Sequence, residues 1–187
     1  ALSSGLLLYG CSLIYGFSGS TNFQIISEQI ISNSFGLTFG IVFILVGLGY
    51  KISAGPFHFW TPDVYEGSPT SITAYLSVAP KAAGFALIIR FFNIAFGSNS
   101  AMGSDEWSSL NSLPWPFLIA LLSAATMTIG NLVAIQQQSV KRMLAYSSIA
   151  HAGYMMMAIP VMSQSGIYGI MIYLFMIGLI KDYSEMG

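Results

Sequence analysis

Two lysines in apolar surroundings are the side chains of this sequence best suited to proton chemistry. Lys51 ends the apolar run GLTFGIVFILVGLGYK (36–51), and Lys81 lies inside the run ITAYLSVAPKAAGFALII (72–89). A lysine within hydrocarbon is costly and usually marks an ion or proton path. Burial disfavours the charged amine and a second positive charge disfavours it further, so either lysine could load and release a proton. The alternative for both lysines is a side chain that extends its charged amine to a membrane face and takes no part in proton transfer.

The segment between the two lysines, GPFHFWTPDVYEGSPT (55–70), carries residues that interrupt a helix. Pro56 has no N–H to donate and Gly55 loosens the backbone, so a helix is expected to break here. Irregular backbone at membrane depth is tolerated where it packs inside protein or lines a hydrated cavity, and broken helices direct their ends at ions in several transporter folds. His58 adjoins the break, and the unperturbed pKa of a histidine, about 6.5, suits proton exchange. A hydrogen-bonded core histidine is the equal alternative.

A second histidine, His151, lies in AYSSIAHAGYMMMA (145–158) among hydroxyl-bearing side chains. Polar groups clustered in a membrane helix indicate either a hydrated proton relay or a site of hydrogen bonding between helices. Both interpretations stay open, and His151 joins His58 as a candidate relay residue. The polar neighbours of His151 are Tyr146, Ser147, Ser148 and Tyr154.

Composition indicates a membrane protein. Of the 187 residues, 55% are hydrophobic and 7% are charged, whereas a soluble domain carries about 25% charged residues. The net charge of −1 gives no indication of nucleic-acid binding, and the single Cys11 excludes an internal disulfide framework. The sequence contains no phosphate-binding glycine loop, no CxxC pair and no haem or iron–sulfur pattern. It therefore predicts an integral membrane chain that itself binds no cofactor and no metal.

Six apolar segments predict an all-α, polytopic transmembrane helix bundle. A span needs about 20 apolar residues, and the second segment exceeds that length only as a discontinuous helix that continues through the break to Glu66. We expect one transmembrane domain over residues 1–187, with about six membrane segments of which the first and last are incomplete. The start at Ala1, without a methionine, predicts a fragment of a longer chain. The segments are Leu2–Phe17, Gly36–Tyr50, Ile72–Phe96, Trp115–Ile135, Met143–Met162 and Gly166–Ile180.

Alternation of these spans assigns the charged residues to two sides of the membrane. Lysine and arginine in the connections fall on one side only, which predicts that this side is cytoplasmic. The acidic side carries Glu28, Asp105 and Glu106. The basic side carries Lys141, Arg142 and Lys181, together with Asp63, Glu66 and Asp182.

Two long motifs carry a resemblance to a known family. They are GLGYKISAGPFHFWTPDVYEGSPTSITAYLSVAPKAAGFALIIR (47–90) and GNLVAIQQQSVKRMLAYSSIAHAGYMMMA (130–158). Both closely resemble the antiporter-like membrane subunits of respiratory complex I, NADH:quinone oxidoreductase. Among these, subunit N is the most similar; its counterparts are subunit 2 of the mitochondrial complex and the equivalent membrane subunit of plastid and cyanobacterial NDH complexes. The resemblance covers about residues 1–176.

The resemblance implies the antiporter-like inverted-repeat fold and a role in coupling quinone reduction to proton pumping. It matches Lys51 to the lysine of the family's broken helix and Lys81 to the lysine of the helix that follows. His58 and His151 match positions where many members have histidine. The chain would then be a subunit of the NADH:quinone oxidoreductase translocase, without a redox centre of its own. FMN, iron–sulfur clusters and quinone would be bound by other subunits.

The resemblance also implies partners and a location. The partners would be other membrane-arm subunits and the lipid bilayer, without nucleic acid, in a bacterial inner membrane, with thylakoid or mitochondrial inner membranes as alternatives. Two other functions stay open. The chain could belong to a multisubunit sodium/proton antiporter, or it could be a structural membrane fragment with no activity of its own.

Overall fold

The computed structural model describes residues 2–23, 25–26, 34–95, 97–98, 108–109, 115–161 and 163–185. Helices make up most of these residues, which confirms the predicted all-α fold class. A two-residue antiparallel pair, β1 (Gly97–Ser98) and β2 (Ser108–Ser109), is the strand structure of the described part. The helices are α1 (Leu2–Ser18), α2 (Ser34–Ile52), α3 (Trp60–Gly67), α4 (Thr70–Ala95), α5 (Trp115–Ile135), α6 (Val140–Met157) and α7 (Gln164–Glu185).

The helices follow the predicted apolar segments. Within α4, the 23 residues Thr70–Phe92 are long and apolar enough to cross a membrane, as are the 21 residues of α5. Shorter apolar stretches occupy Leu2–Ser18, Gly36–Ile52 and Gln164–Gly178. Helix α6 is less apolar than α5 because it carries basic and hydroxyl-bearing side chains. Polar groups on one helix of such a bundle need partners on its neighbours.

The predicted discontinuous helix is confirmed between α2 and α3. Helix α2 ends at Ile52, Ser53 adopts a left-handed conformation with φ of 64°, and the Gly55–Pro56 peptide bond is cis. Helical structure resumes at Trp60. The break follows from local chemistry, since proline cannot donate a helical hydrogen bond and glycine weakens a helix interior.

Small residues bring two pairs of helices into close contact. Between α1 and α2, a Cβ on Gly10 would lie 2.9 Å from the carbonyl oxygen of Gly40. Between α5 and α6, a Cβ on Gly130 would lie 2.7 Å from the backbone nitrogen of Ala150. Close backbone approach at small residues is the usual packing mode of membrane helices. These glycines therefore allow the helices to pack at their observed distance.

The apolar core is built mainly on α2 and α4, and buried side chains of α1, α5, α6 and α7 join it. Phe92 of α4 packs against Trp115 of α5 with ring centroids 5.0 Å apart. Helix α2 contributes buried aliphatic side chains along one face, and α4 adds Phe85 from the other side. The buried residues of α2 include Leu37, Ile41, Ile44, Leu48 and Ile52.

The last helix differs from its predicted extent. The sequence predicts an apolar segment over Gly166–Ile180, whereas α7 runs on through Lys181 and Asp182 to Glu185. The helical backbone thus continues past the predicted apolar segment into the charged residues that follow it. The acidic residues predicted for the opposite side, Glu28, Asp105 and Glu106, lie outside the described residues.

Candidate functional site

Lys81 lies in the interior of the bundle. Its side chain is 3% exposed, and its Nζ donates a hydrogen bond to the carbonyl oxygen of Ser148 at 2.9 Å. A second hydrogen bond joins Nζ to the Ser148 hydroxyl. Lys81 belongs to the buried stripe of α4, whose members recur every three or four residues as helical geometry requires. That stripe consists of Ser77, Lys81, Phe85, Ile88 and Phe92.

A small cavity connects Lys81 with His151. The cavity has a volume of about 10 Å³ and is lined by Lys81, Ser148 and His151, with Met155, Leu174 and Ile177 as apolar walls. That volume is about the minimum that a single water needs. The structure thus brings together two candidates that lie 70 positions apart in the sequence. Both candidates line the same cavity.

His151 also has a partner on α7. Its Nδ1 lies 2.6 Å from the hydroxyl of Tyr173, a hydrogen-bonding distance. The rings of these two residues lie 5.8 Å apart. Lys81, Ser148, His151 and Tyr173 therefore form a polar line from α4 across α6 to α7. Tyr173 is not among the residues predicted from the sequence, where a tyrosine within an apolar helix was the available signal.

His58 lies within the break, apart from this line. It is 7% exposed, stacks on Phe59 with centroids 4.9 Å apart, and meets Tyr146 of α6 edge to face at 6.1 Å. Its Nδ1 is buried and has no hydrogen-bond partner in the described part of the chain. Buried polar atoms normally have a partner, so this nitrogen is a point of unmet hydrogen bonding beside the broken helix.

Lys51 is placed differently from what the sequence predicts. Its apolar run predicts a buried amine, but Lys51 is exposed on the surface of this chain. The reason is the face of α2 that packs inward. Leu48 and Ile52 occupy that face and are buried, whereas Tyr50 and Lys51 lie outside it. In this chain, one of the two lysines is interior and the other is superficial.

Ion pairs hold the second half of the broken helix against α6. Arg142 Nη2 lies 3.0 Å from Asp63 Oδ1, and Arg142 Nη1 lies 2.9 Å from Glu66 Oε2. Lys141 donates a hydrogen bond to the carbonyl oxygen of Ser68 at 3.4 Å. The hydrogen bond to Glu66 raises the pKa of the Arg142 guanidinium, which is charged in any case. These contacts confirm that Asp63, Glu66 and Arg142 share one side, as the span alternation predicts.

One hydroxyl group of α5 accepts a hydrogen bond from the backbone of the break, and two hydroxyl groups at the break bond to each other. The Gly55 N–H donates to Thr126 Oγ1 of α5 at 2.9 Å, and Thr61 Oγ1 donates to Ser53 Oγ at 2.6 Å. All four residues are buried. The role of Thr126 was not predicted, because the sequence of an apolar helix does not reveal which neighbour its threonine bonds.

The described residues contain no group of three or more His, Cys, Asp or Glu side chains that could hold a metal ion. The polar line instead contains an amine, an imidazole and hydroxyl groups, all of which exchange protons.

Comparison with known proteins decides the family. The family model described as "NADH:quinone oxidoreductase/Mrp antiporter, TM" matches residues 1–183. The chain belongs to this family. NADH-quinone oxidoreductase subunit N of Pelagibacter ubique is 52% identical over 174 residues, which cover 93% of this chain and 34% of that protein. The chain thus spans about a third of the length of the curated relatives that it matches.

Solved structures agree with the antiporter-family fold. A chain in the structure of respiratory complex I from Thermus thermophilus with bound aureothin is 35% identical, with a TM-score of 0.73, over 97% of this chain and 36% of that chain. A chain of the Mrp complex from Dietzia sp. DQ12-45-1b has a TM-score of 0.80 at 22% identity, over 96% of this chain and 31% of that chain, which shows the fold alone. The predicted resemblance to complex I subunit N is confirmed. The prediction of an integral membrane protein is confirmed as well, and the bacterial relatives agree with a location in a bacterial inner membrane.

Proposed function

We propose that this chain is a proton-translocating part of the membrane arm of NADH:quinone oxidoreductase, where it couples quinone reduction to proton pumping. The observation that carries the proposal is the buried amine of Lys81, held by Ser148 beside a cavity that also reaches His151. An amine in hydrocarbon usually belongs to an ion or proton path. The relatives named as subunit N support the choice of this complex.

The contacts of Lys81 support a reversible proton load. Burial favours the neutral amine, whereas the two oxygens of Ser148 favour the charged ammonium. These opposing effects leave the protonation state sensitive to charge changes nearby. A proton released by Lys81 would pass through the cavity to His151, whose Nδ1 bonds to Tyr173. In this route Lys81 carries the proton and His151 relays it.

We assign Lys51 and His58 to the same process at the broken helix. His58 has a buried, unpartnered Nδ1 in the described chain, which suits a relay nitrogen that accepts a proton when one arrives. Lys51 is exposed here, but the chain spans about a third of its relatives' length, so its exposed side would face other parts of the assembled protein. In this proposal Lys51 exchanges protons across that boundary.

The proposal extends to the composition of the assembly. The chain would be one transmembrane domain of an enzyme subunit, without a redox centre of its own. FMN, iron–sulfur clusters and quinone would be bound by other subunits, and the partners would be membrane-arm subunits and lipid. A sodium/proton antiporter subunit is the second candidate, because the fold matches the Mrp complex with a TM-score of 0.80. Co-purification with flavin-containing subunits would favour the first candidate.

The test is Lys81→Ala in the complete, assembled complex. We expect electron transfer to quinone to continue or slow, and proton pumping per quinone reduced to fall by about tenfold or more, since the substitution removes the amine that carries the proton. Lys81→Arg should also impair pumping, because arginine hardly deprotonates. The measurement is the proton gradient formed by inverted membrane vesicles. Lys141→Ala is the control for loss of a lysine charge outside the bundle interior, since Lys141 is exposed and its hydrogen bond to the Ser68 carbonyl is long, at 3.4 Å. An assembled Lys81→Ala complex that pumps normally would remove Lys81 from the route.

A further inference from the structure

Pro80, immediately before Lys81, leaves a backbone carbonyl without its helical partner. In an α-helix the carbonyl of residue i accepts from the N–H of residue i+4, and proline has no N–H. The carbonyl concerned belongs to Leu76, four residues before Pro80, and α4 runs continuously through this point. The Tyr65 hydroxyl, from α3, donates a hydrogen bond to that carbonyl oxygen at 3.2 Å.

The Tyr65–Leu76 bond meets the needs of two buried groups. Tyr65 is 2% exposed, and a buried phenol normally requires a hydrogen-bond partner. Within a membrane, a backbone carbonyl must also find its partner inside the protein. The Tyr65 hydroxyl, which follows the break in the α2–α3 helix, and the Leu76 carbonyl, which Pro80 leaves without its helical partner, therefore satisfy each other in one hydrogen bond.

Tyr65 is linked to the Lys81 contact from two directions. The Leu76 carbonyl lies in the turn of α4 that leads into Lys81. The Tyr65 phenol also interacts with the side chain of Ser148, the residue that accepts both hydrogen bonds from Lys81. A movement of Tyr65 would consequently affect both the turn of α4 that carries Lys81 and the side chain of Ser148.

Helix α3 is itself bonded to both neighbouring helices, α4 and α6. The carbonyl oxygen of Tyr65 accepts a hydrogen bond from Thr73 Oγ1 of α4 at 3.3 Å. One residue later, Glu66 pairs with Arg142 of α6. The short helix thus connects the lysine-bearing helix with the serine-bearing helix, and Tyr65 is its buried contact with both.

We propose that Tyr65 is a positioning residue, whose hydroxyl sets the turn of α4 that presents Lys81 to Ser148. The proposal rests on the proton-transfer function assigned to Lys81 above. A shift of the second half of the broken helix changes the Tyr65–Leu76 bond, and that change alters the separation of the Lys81 amine from its oxygen acceptors. Tyr65 in this way makes proton release at Lys81 depend on the position of the broken helix.

The test compares Tyr65→Phe in two backgrounds of the assembled complex. Tyr65→Phe keeps the ring and removes only the hydroxyl. We expect protons pumped per quinone reduced to fall by about threefold or more, the scale of one net hydrogen bond, without loss of assembled complex. Pro80→Ala restores an N–H that can donate to the Leu76 carbonyl. In the Pro80→Ala background, the same Tyr65→Phe change should have a much smaller effect. Tyr75→Phe, at a tyrosine of α4 that is 66% exposed, is the control and should pump normally.

Each outcome decides the proposal. Normal pumping by Tyr65→Phe, or an equal loss in both backgrounds, overturns it. If Tyr65→Phe alone fails to assemble, a double variant that assembles and pumps like Pro80→Ala supports the proposal, and a double variant that is also defective overturns it. Lys81→Ala, measured in parallel, separates the two proposals. If Lys81→Ala pumps normally the proton-transfer function fails, whereas loss in Lys81→Ala with normal Tyr65→Phe defeats only the role of Tyr65.

Discussion

At the scale of single residues, the position of Lys81 depends on what accepts its hydrogen bonds. Ser148 offers two acceptor oxygens, its carbonyl and its hydroxyl. Because a carbonyl oxygen has two lone pairs, the Ser148 carbonyl can accept a hydrogen bond from the Lys81 amine and also one from its own helix. The hydroxyl is the acceptor that mutation can remove. Ser148 therefore gives Lys81 one acceptor in the backbone and one acceptor in a side chain that a substitution can remove.

Ser148→Ala should lower proton pumping by less than Lys81→Ala does. We expect a loss of about two- to tenfold per quinone reduced, because the hydroxyl is lost while the carbonyl remains. The measurement is the vesicle proton gradient, normalised to assembled complex. Ser147→Ala, at the half-buried neighbouring serine, serves as the matched control. Equal behaviour of the two serine variants would show that the Ser148 hydroxyl does not support the amine.

At the scale of elements, the broken helix is held by its neighbours. The buried Gly55 N–H of the break donates to Thr126 of α5, and the second half of the broken helix is tied to α6 by the ion pairs of Arg142. Local sequence explains why the helix stops at Ile52. Contacts with other helices explain why the break adopts one geometry, because an unsatisfied N–H within the membrane would be costly.

Thr126→Val should destabilise the break without changing the volume of the side chain much. The Gly55 N–H would lose its acceptor, at an expected cost of about 1–3 kcal/mol. The measurement is the thermal inactivation temperature of the assembled complex. Thr128→Val is the control on the same helix, since the exposed Thr128 hydroxyl bonds to the carbonyl of Ala124 within its own helix. A drop of the same size in both variants would contradict a specific role for Thr126.

At the scale of the whole molecule, this chain has two kinds of surface. Apolar side chains such as Leu8, Phe117 and Phe175 are exposed along the helices, as expected for faces that meet lipid or other membrane helices. The charged end around Arg142 carries the ion pairs with Asp63 and Glu66. Lys51 belongs to neither group, because it is an exposed amine at the end of an apolar helix.

Lys51 should become protected when the full complex is assembled. We expect Lys51→Cys, in a Cys11→Ser background, to react slowly with a bulky charged maleimide, because the proposed function has this side chain facing other parts of the assembly. Lys141→Cys in the same background should react quickly. Labelling is quantified on this chain after the subunits are separated. Equally fast labelling at both positions would place Lys51 at a water-exposed membrane face, which is the alternative left open by the sequence.

Features that depend on local chain chemistry were predictable. The lengths of apolar segments located the helices, and α5 has the predicted bounds Trp115–Ile135. Gly55 and Pro56 located the break, because glycine and proline act on the backbone wherever they occur. The two motifs also identified the family. The side of the membrane shared by Asp63, Glu66 and Arg142 followed from the alternation of spans.

Features that depend on which side of a helix faces inward were decided by the tertiary structure. A helix that is apolar all round carries no pattern that distinguishes its buried face from its lipid face. The sequence therefore predicted the same burial for Lys51 and Lys81, and only packing separated them. The cavity between Lys81 and His151, the acceptor at Thr126 and the Tyr65–Leu76 bond arise from the same packing. Each joins residues that are far apart in the sequence or lie on different elements, and no local property of the chain specifies such a pairing.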